Sequence, residues 1–197
     1  MIGILALQGN YHAHNQTLDR LNIPAKEVRY PNQLTDIDGL IIPGGESSTI
    51  NDLMSRIDFH GAIKTFAEKK PVLGTCAGLI LMSRVINNDN KIKPLGLLDL
   101  EVSRNAYGRQ ADSFIGEISF LVQNHSFTAK APFIRAPKIL KISESVEAIG
   151  NCRGNIVAVK SGNHIGLTFH PELSDIIFFH DYMFKKKSTI KKEINAA

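Results

Sequence analysis

Residues Pro71 to Met82, PVLGTCAGLILM, are the stretch on which the fold turns. Residues 71–74 form a short apolar run that reads as a buried strand, and the residues from Ala77 onward read as a helix. Two or three residues remain for the turn, and Cys76 sits in it between Gly74 and Gly78. Glycines two residues away on each side offer the backbone freedom and the small neighbours that so tight a turn needs. The pattern G-x-Cys-x-G fits a nucleophile lifted from a strand onto the start of a helix. A small apolar thiol in a crowded core is the plainer alternative.

Upstream of that turn the chain alternates strand and helix. Ile2 to Leu7 reads as a strand ending at Gln8-Gly9, followed by a helix to about Leu21. Val28-Arg29-Tyr30 is a second strand, and Asp38 to Ile42 a third that closes on Pro43-Gly44-Gly45. The segment ESSTINDLMSR then opens a helix with Ser47 or Ser48 as its cap. A helix near Phe59 to Lys69 leads back into the strand before Cys76. Short links and near-continuous apolar strands predict an α/β fold, with a mostly parallel central sheet covered on both faces. Sites in such sheets form beyond the carboxyl ends of the strands. The turns at Gln8-Gly9, Gly44-Gly45 and Cys76 all fall at such ends.

The later chain changes character. Residues 95–104, 113–122 and 130–142 read as strands with little helix between them. Residues 147–172 read as consecutive antiparallel strands turning at Arg153-Gly154 and at Ser161-Gly162-Asn163. This antiparallel, β-rich C-terminal part is closed by a helix over DIIFFHDYMFKK, with Ser174 as a cap.

Composition narrows the function classes. A chain of 197 residues with 43% hydrophobic residues is long enough to bury one full core, and a single domain over 1–184 is expected. Residues 185–197 hold five lysines and one glutamate; the rest carries 18 basic and 18 acidic residues. The excess charge therefore belongs to a Lys-rich C-terminal tail and not to a nucleic-acid-binding face. No run approaches the ~18 apolar residues of a membrane span, so no membrane partner is expected. The N-terminus reads as a first strand and lacks the marks of a signal peptide. Two cysteines make no disulfide scaffold, and a reducing cytoplasm is the expected setting.

A cysteine nucleophile wants a base. Six of the seven histidines read as structural: His12 and His14 in the first helix, His60, His125, His164, and His180 in the last helix. His170 differs, because His170-Pro171-Glu172 leaves the end of a strand. Residues i and i+2 of an extended segment project to one side, so Glu172 can orient the His170 ring and stabilise its cation. Cys76, His170 and Glu172 together carry the logic of a catalytic triad. Taken alone, the H-P-E stretch would be an exposed ion pair of little energetic weight. Cys152 reads as structural, and no Cys or His spacing suggests a metal site.

GTCAG (74–78) followed by HPE (170–172) resembles the class I triad glutamine amidotransferases. LALQGN (5–10), LIIPGGESST (40–49), RNAYGRQADSF (104–114), FIRAP (133–137) and GLTFHPEL (166–173) resemble one branch of them. That branch is the PdxT-type glutaminase subunit of pyridoxal 5′-phosphate synthase. The resemblance implies a three-layer, flavodoxin-like class I glutamine amidotransferase fold. It also implies hydrolysis of L-glutamine to glutamate and ammonia, with ammonia passed to a PdxS-type synthase subunit in a hetero-oligomer. Motif by motif, it makes Cys76 the nucleophile, His170 the general base and acid, and Glu172 the orienter. Gly45 and the backbone at Ala77 would form the oxyanion hole. Gly45, Glu46, Ser47, Arg104, Ile134 and Arg135 would hold glutamine, and no metal or organic cofactor is implied. Two differences from the branch are visible: Ser48 stands where threonine is common, and segment 86–94 is slightly long. A glutaminase of the imidazole glycerol phosphate synthase type shares the same three residues. A cysteine hydrolase of esterase or peptidase type and a non-catalytic redox or binding protein on the same fold are the remaining alternatives.

Overall fold

A computed structural model of the chain describes residues 1–104 and 113–185. Most of RNAYGRQADSF (residues 105–112) and all but the first residue of the Lys-rich tail (186–197) lie outside the described residues. The first half runs β1 (Ile2–Leu5), α1 (Tyr11–Arg20), β2 (Ala25–Val28), β3 (Gly39–Ile42), α2 (Ser47–Arg56), α3 (Phe59–Ala67), β4 (Val72–Thr75) and α4 (Ala77–Met82). Then come β5 (Ser83–Ile86), β6 (Leu98–Ser103), β7 (Phe114–Val122), β8 (His125–Phe133) and β9 (Lys138–Ile142). The chain closes with β10 (Glu147–Cys152), β11 (Asn155–Ser161), β12 (His164–Leu167) and α5 (Phe178–Phe184).

Nine strands form one sheet in the order β2-β1-β3-β4-β12-β11-β10-β7-β8. The five strands from β2 to β12 pair in parallel, whereas β12 to β8 pair antiparallel. β12 is thus the hinge between the two regimes, parallel to β4 and antiparallel to β11. The inner parallel strands β1, β3 and β4 are buried on both faces because nearly every residue in them is apolar, whereas the edge strand β2 carries Lys26 and Glu27 and buries only Val28. Leu40 and Ile42 point into a core with Ile50 and Met54 of α2 and Phe59 and Ile63 of α3. Ile41 and Leu73 point the other way, into a core with Leu18 of α1 and Phe179 of α5. Helix, sheet and helix make three layers.

Several local expectations need correction; the second strand, for one, is Ala25–Val28 and not residues 28–30. The apolar run after Cys76 is helical for only six residues, and Ser83–Ile86 is a strand. The Ser83 hydroxyl donates to the Ile80 carbonyl at 2.7 Å, and its own backbone is extended, so the helix stops without glycine or proline. β5 joins β6 and β9 in a separate three-stranded sheet. The cap of α2 is Glu46 and neither serine: its carboxylate accepts from the Ser48 and Thr49 backbone N–H groups at 3.3 and 2.7 Å. Ser174 caps no helix; α5 begins four residues later, and the Ser174 hydroxyl accepts from the Ile176 N–H at 3.3 Å within a turn.

Candidate active site

The register of β4 against β12 decides where the chemistry can sit. Thr75 lies opposite Leu167, so both strands end at the same rim. One residue past Thr75 the chain reaches Cys76, and three past Leu167 it reaches His170. The Cys76 N–H donates to the Leu167 carbonyl at 2.8 Å, which ties the elbow to the neighbouring strand. Cys76 itself adopts φ 48° and ψ −102°. A non-glycine residue held there stores about 1–3 kcal/mol of strain, which the surrounding packing must override. The positive φ thus falls on the cysteine and not on its flanking glycines. Gly78 is needed for proximity: a Cβ there would lie 2.0 Å from the Ile42 carbonyl oxygen, so α4 could not pass against β3.

His170 is buried, with Nδ1 2.7 Å from Glu172 Oε1, so the other ring nitrogen is free to serve the sulfur. Gly44 makes room for the ring, because a Cβ there would meet His170 Cε1 at 2.3 Å. Burial on its own would lower the His170 pKa. Hydrogen bonds to Cys76 and Glu172, and the charges of both, raise it to about 10. Burial likewise pushes the Glu172 carboxyl up, but His14 and His170 outweigh it and hold the group below the ordinary carboxylate range. The site therefore favours an imidazolium at His170 beside the Glu172 carboxylate.

Around the sulfur lies a cavity of about 500 Å³, within the size range of small-molecule sites. Gly45, Glu46 and Ser47 line it from the β3–α2 turn. Arg104 lines it from the end of β6, and Ile134 and Arg135 from the end of β8. The Cys76 thiol is 3.8 Å from the Ile134 carbonyl. Glu172 lies behind His170, and Ala77 is the first residue of α4.

Two of these residues behave differently from the expectation of free binding groups. The Glu46 carboxylate is occupied by α2: Oε2 accepts the Ser48 and Thr49 hydroxyls at 2.6 and 2.8 Å, and Oε1 accepts Arg104 Nη2 at 3.0 Å. Burial works against ionisation, but the Ser48 and Thr49 hydrogen bonds bring the Glu46 pKa down to about 2. Arg104 also donates from Nη1 to Asp89, in the 86–94 segment. The guanidinium thus reaches the cavity already held by two carboxylates.

Sequence reading missed four contributors. Gln8 Oε1 accepts the Glu46 N–H at 2.9 Å and the Gly44 carbonyl accepts the Asn10 N–H at 2.9 Å, so the first turn clamps the Gly44-Gly45 loop. Asp89 anchors Arg104. His14 and His180, read as ordinary helix residues, meet each other and Glu172 in the core. The LALQGN motif carried a signal for Gln8; nothing in the sequence paired positions 14 and 180.

Among the described residues no group of three or more His, Cys, Asp or Glu side chains is arranged to hold a metal ion. Nor, among them, is any helix long and apolar enough to cross a membrane. Cys76 and Cys152 are free thiols.

The chain is similar to proteins already described. The sequence model of the SNO glutamine amidotransferase family matches residues 4–189. The pyridoxal 5′-phosphate synthase subunit PdxT of Carboxydothermus hydrogenoformans is 40% identical over 186 residues, covering 94% of this chain and 96% of that one. The PdxT subunit of Oenococcus oeni is 43% identical over 184 residues, covering 93% and 95%. A crystal structure of a glutamine amidotransferase superposes with a TM-score of 0.85 at 36% identity, covering 92% and 96%. PurLQS from Thermotoga maritima, at 18% identity and a TM-score of 0.66 over 90% of each chain, shares the fold.

Proposed function

The chain belongs to the SNO glutamine amidotransferase family, and from that premise we propose how its residues divide the labour of glutamine hydrolysis. It is the glutaminase of pyridoxal 5′-phosphate synthase, releasing ammonia from glutamine for vitamin B6 synthesis. Cys76 Sγ attacks the carboxamide carbon of L-glutamine. The resulting tetrahedral oxyanion is received by the backbone N–H groups of Gly45 and Ala77; the latter, at the first position of a helix, has no partner within that helix. His170 gives its proton to the departing nitrogen, so ammonia leaves and a γ-glutamyl thioester remains. The neutral imidazole then takes a proton from water, whose oxygen attacks the thioester, and glutamate departs as the thiol is regenerated. Glu172 holds the ring through both halves.

Arg104 and Arg135 suit the α-carboxylate of the substrate, since a guanidinium matches a carboxylate in shape and charge. The backbone of Gly45, Glu46 and Ser47 and the Ile134 carbonyl complete the glutamine site. Residues 1–184 work as one glutaminase domain, in the cytoplasm, within a hetero-oligomer whose synthase subunit consumes the ammonia.

One observation carries this reading: the buried line Cys76, His170, Glu172 at the rim of a cavity lined by two arginines. Its test is a glutamine-like electrophile applied to the full chain. The reagent is expected to add to Cys76, and glutamine to protect the thiol. Cys76→Ala is expected to lose glutamine hydrolysis while keeping its fold and its synthase partner. Labelling indifferent to glutamine, or substantial turnover by Cys76→Ala, would overturn the assignment.

A further inference from the structure

Behind the triad lies a second cluster of titratable groups that the mechanism above does not use. His14 on α1 and His180 on α5 are both fully buried. His14 Nδ1 is 2.9 Å from His180 Nε2, and His14 Nε2 is 3.2 Å from the Thr75 hydroxyl. The same Nε2 is 3.5 Å from Glu172 Oε2. Oε2 is the oxygen turned away from His170, and it has no hydrogen bond of ordinary geometry among the described residues. A buried carboxylate oxygen so placed is costly unless a donor faces it.

The chemistry of the partners fixes where the protons sit. A carboxylate only accepts, so a lone pair on His14 Nε2 would oppose the lone pairs of Glu172. The proton therefore belongs on His14 Nε2. His14 Nδ1 is then an acceptor and takes the N–H of His180 Nε2. His180 Nδ1 is left with a lone pair, and it has no hydrogen-bond partner among the described residues. The opposite choice would bury an orphaned N–H there, the rarer kind of defect. Both rings are neutral in this arrangement. Burial drives the pKa of each below its ordinary value, that of His180 to about 3.

We propose that His14 is a positioning residue for the triad: its Nε2–H, kept on that nitrogen by the His180 N–H at Nδ1 and shared between the Thr75 hydroxyl oxygen and Glu172 Oε2, holds Glu172 ionised and turned so that Oε1 faces His170. The line His180, His14, Glu172, His170, Cys76 leads from the inner face of α5 to the nucleophile, with 3.5 Å between His14 Nε2 and Glu172 Oε2. It joins two helices, the end of β4 and the turn after β12, elements far apart in the chain. The inference rests on the triad reading above. The titratable and charged groups facing Glu172 are His170 on its own turn, His14 and Arg20 on α1, Asp175 on the following loop and His180 on α5, with Cys76 beyond His170.

The test compares His14→Leu, which removes the donor, with His14→Gln, whose amide can place an N–H near the position of Nε2. Glutamine hydrolysis is followed in the full chain with its synthase partner across pH. His14→Leu is expected to lower kcat by about tenfold to a hundredfold, the range seen when partners behind a reacting group are removed. KM should stay within about twofold, because His14 does not touch the cavity. The acid limb of kcat/KM should move to higher pH, since Glu172 then takes a proton more readily. His14→Gln should recover most of kcat and return the acid limb.

Equal losses in both variants with an unmoved pH profile would mean mere packing and overturn the proposal, as would wild-type behaviour of His14→Leu. Should His14→Leu fail to fold, ring ¹⁵N spectra of the wild-type chain decide. A neutral His14 with its proton on Nε2 is expected, and a cationic ring or a proton on Nδ1 would overturn the proposal. Turnover that survives Cys76→Ala would sink both readings. Turnover that needs Cys76 but ignores His14 would sink this one alone.

Discussion

The two sides of Glu172 both bury histidines and treat them in opposite ways. On the cavity side His170 is raised to about 10; on the core side His14 and His180 are pushed down, the latter to about 3. Burial disfavours a cation on both sides. The difference lies in the partners. His170 sits between a thiol and a carboxylate, both able to carry negative charge, whereas around His180 burial and the charges of His14 and Arg20 outweigh the opposing charge of Glu172. A buried histidine becomes an acid–base group when anions surround it and a fixed dipole when they do not.

The most severe way to test the contrast is to remove the carboxylate common to both sides. Glu172→Gln should lower kcat by about 10³–10⁴-fold, the scale expected when the orienter of a catalytic histidine loses its charge. Steady-state hydrolysis with the synthase partner present measures it; a loss under tenfold would mean that His170 is held by something else.

Opposite pKa shifts also require opposite pH slopes of stability. His180 binds a proton near 6.5 when unfolded but only near 3 when folded, so its contribution is present above 6.5 and is lost as pH falls toward 3. The slope is about 1.4 kcal/mol per pH unit. His170 works the other way: its contribution is present below 6.5 and fades as pH rises through about 10. Urea unfolding between pH 4 and 7 should therefore show wild-type stability falling toward acid, and His180→Phe should flatten that limb alone. A variant with the wild-type acid slope would place the titrating group elsewhere.

The smallest effect should come from the other cysteine. Cys152 is as buried as Cys76, but it ends a strand, and burial pushes its thiol above the ordinary value, Arg153 only partly offsetting this. Cys152→Ala should leave kcat and KM unchanged and cost about 1 kcal/mol in thermal unfolding. A kinetic effect there would show that burial, and not the company of His170, sets the chemistry of a thiol in this chain.

How far the sequence could be read depended on how local each signal was. The elbow at Cys76 and the His170-Pro171-Glu172 stretch were legible because each is a few residues long and carries its own geometry. The hairpin turns at Arg153-Gly154 and at Gly162 were legible because residues there take positive φ. β5 was not, since Ser-Arg-Val-Ile follows an apolar run with no breaker; the helix is ended by the Ser83 side chain, and the strand is formed by pairing with Leu98 to Val102. The cap of α2 was misassigned by one residue because a glutamate can do a serine's work once Arg104, 58 positions away, braces it.

The amino-acid order by itself determined an alternating α/β architecture, a cysteine at a tight strand-to-helix turn, and a histidine with its carboxylate two residues on. Periodicity and steric freedom act over a handful of bonds, so such features are written locally. Only the folded chain decided that β12 lies beside β4, that Arg104 arrives tethered to Glu46 and Asp89, and that His14 and His180 stand behind Glu172. Those contacts join residues between 15 and 166 positions apart. Their energy depends on burial and mutual orientation, quantities that exist only once the core has closed.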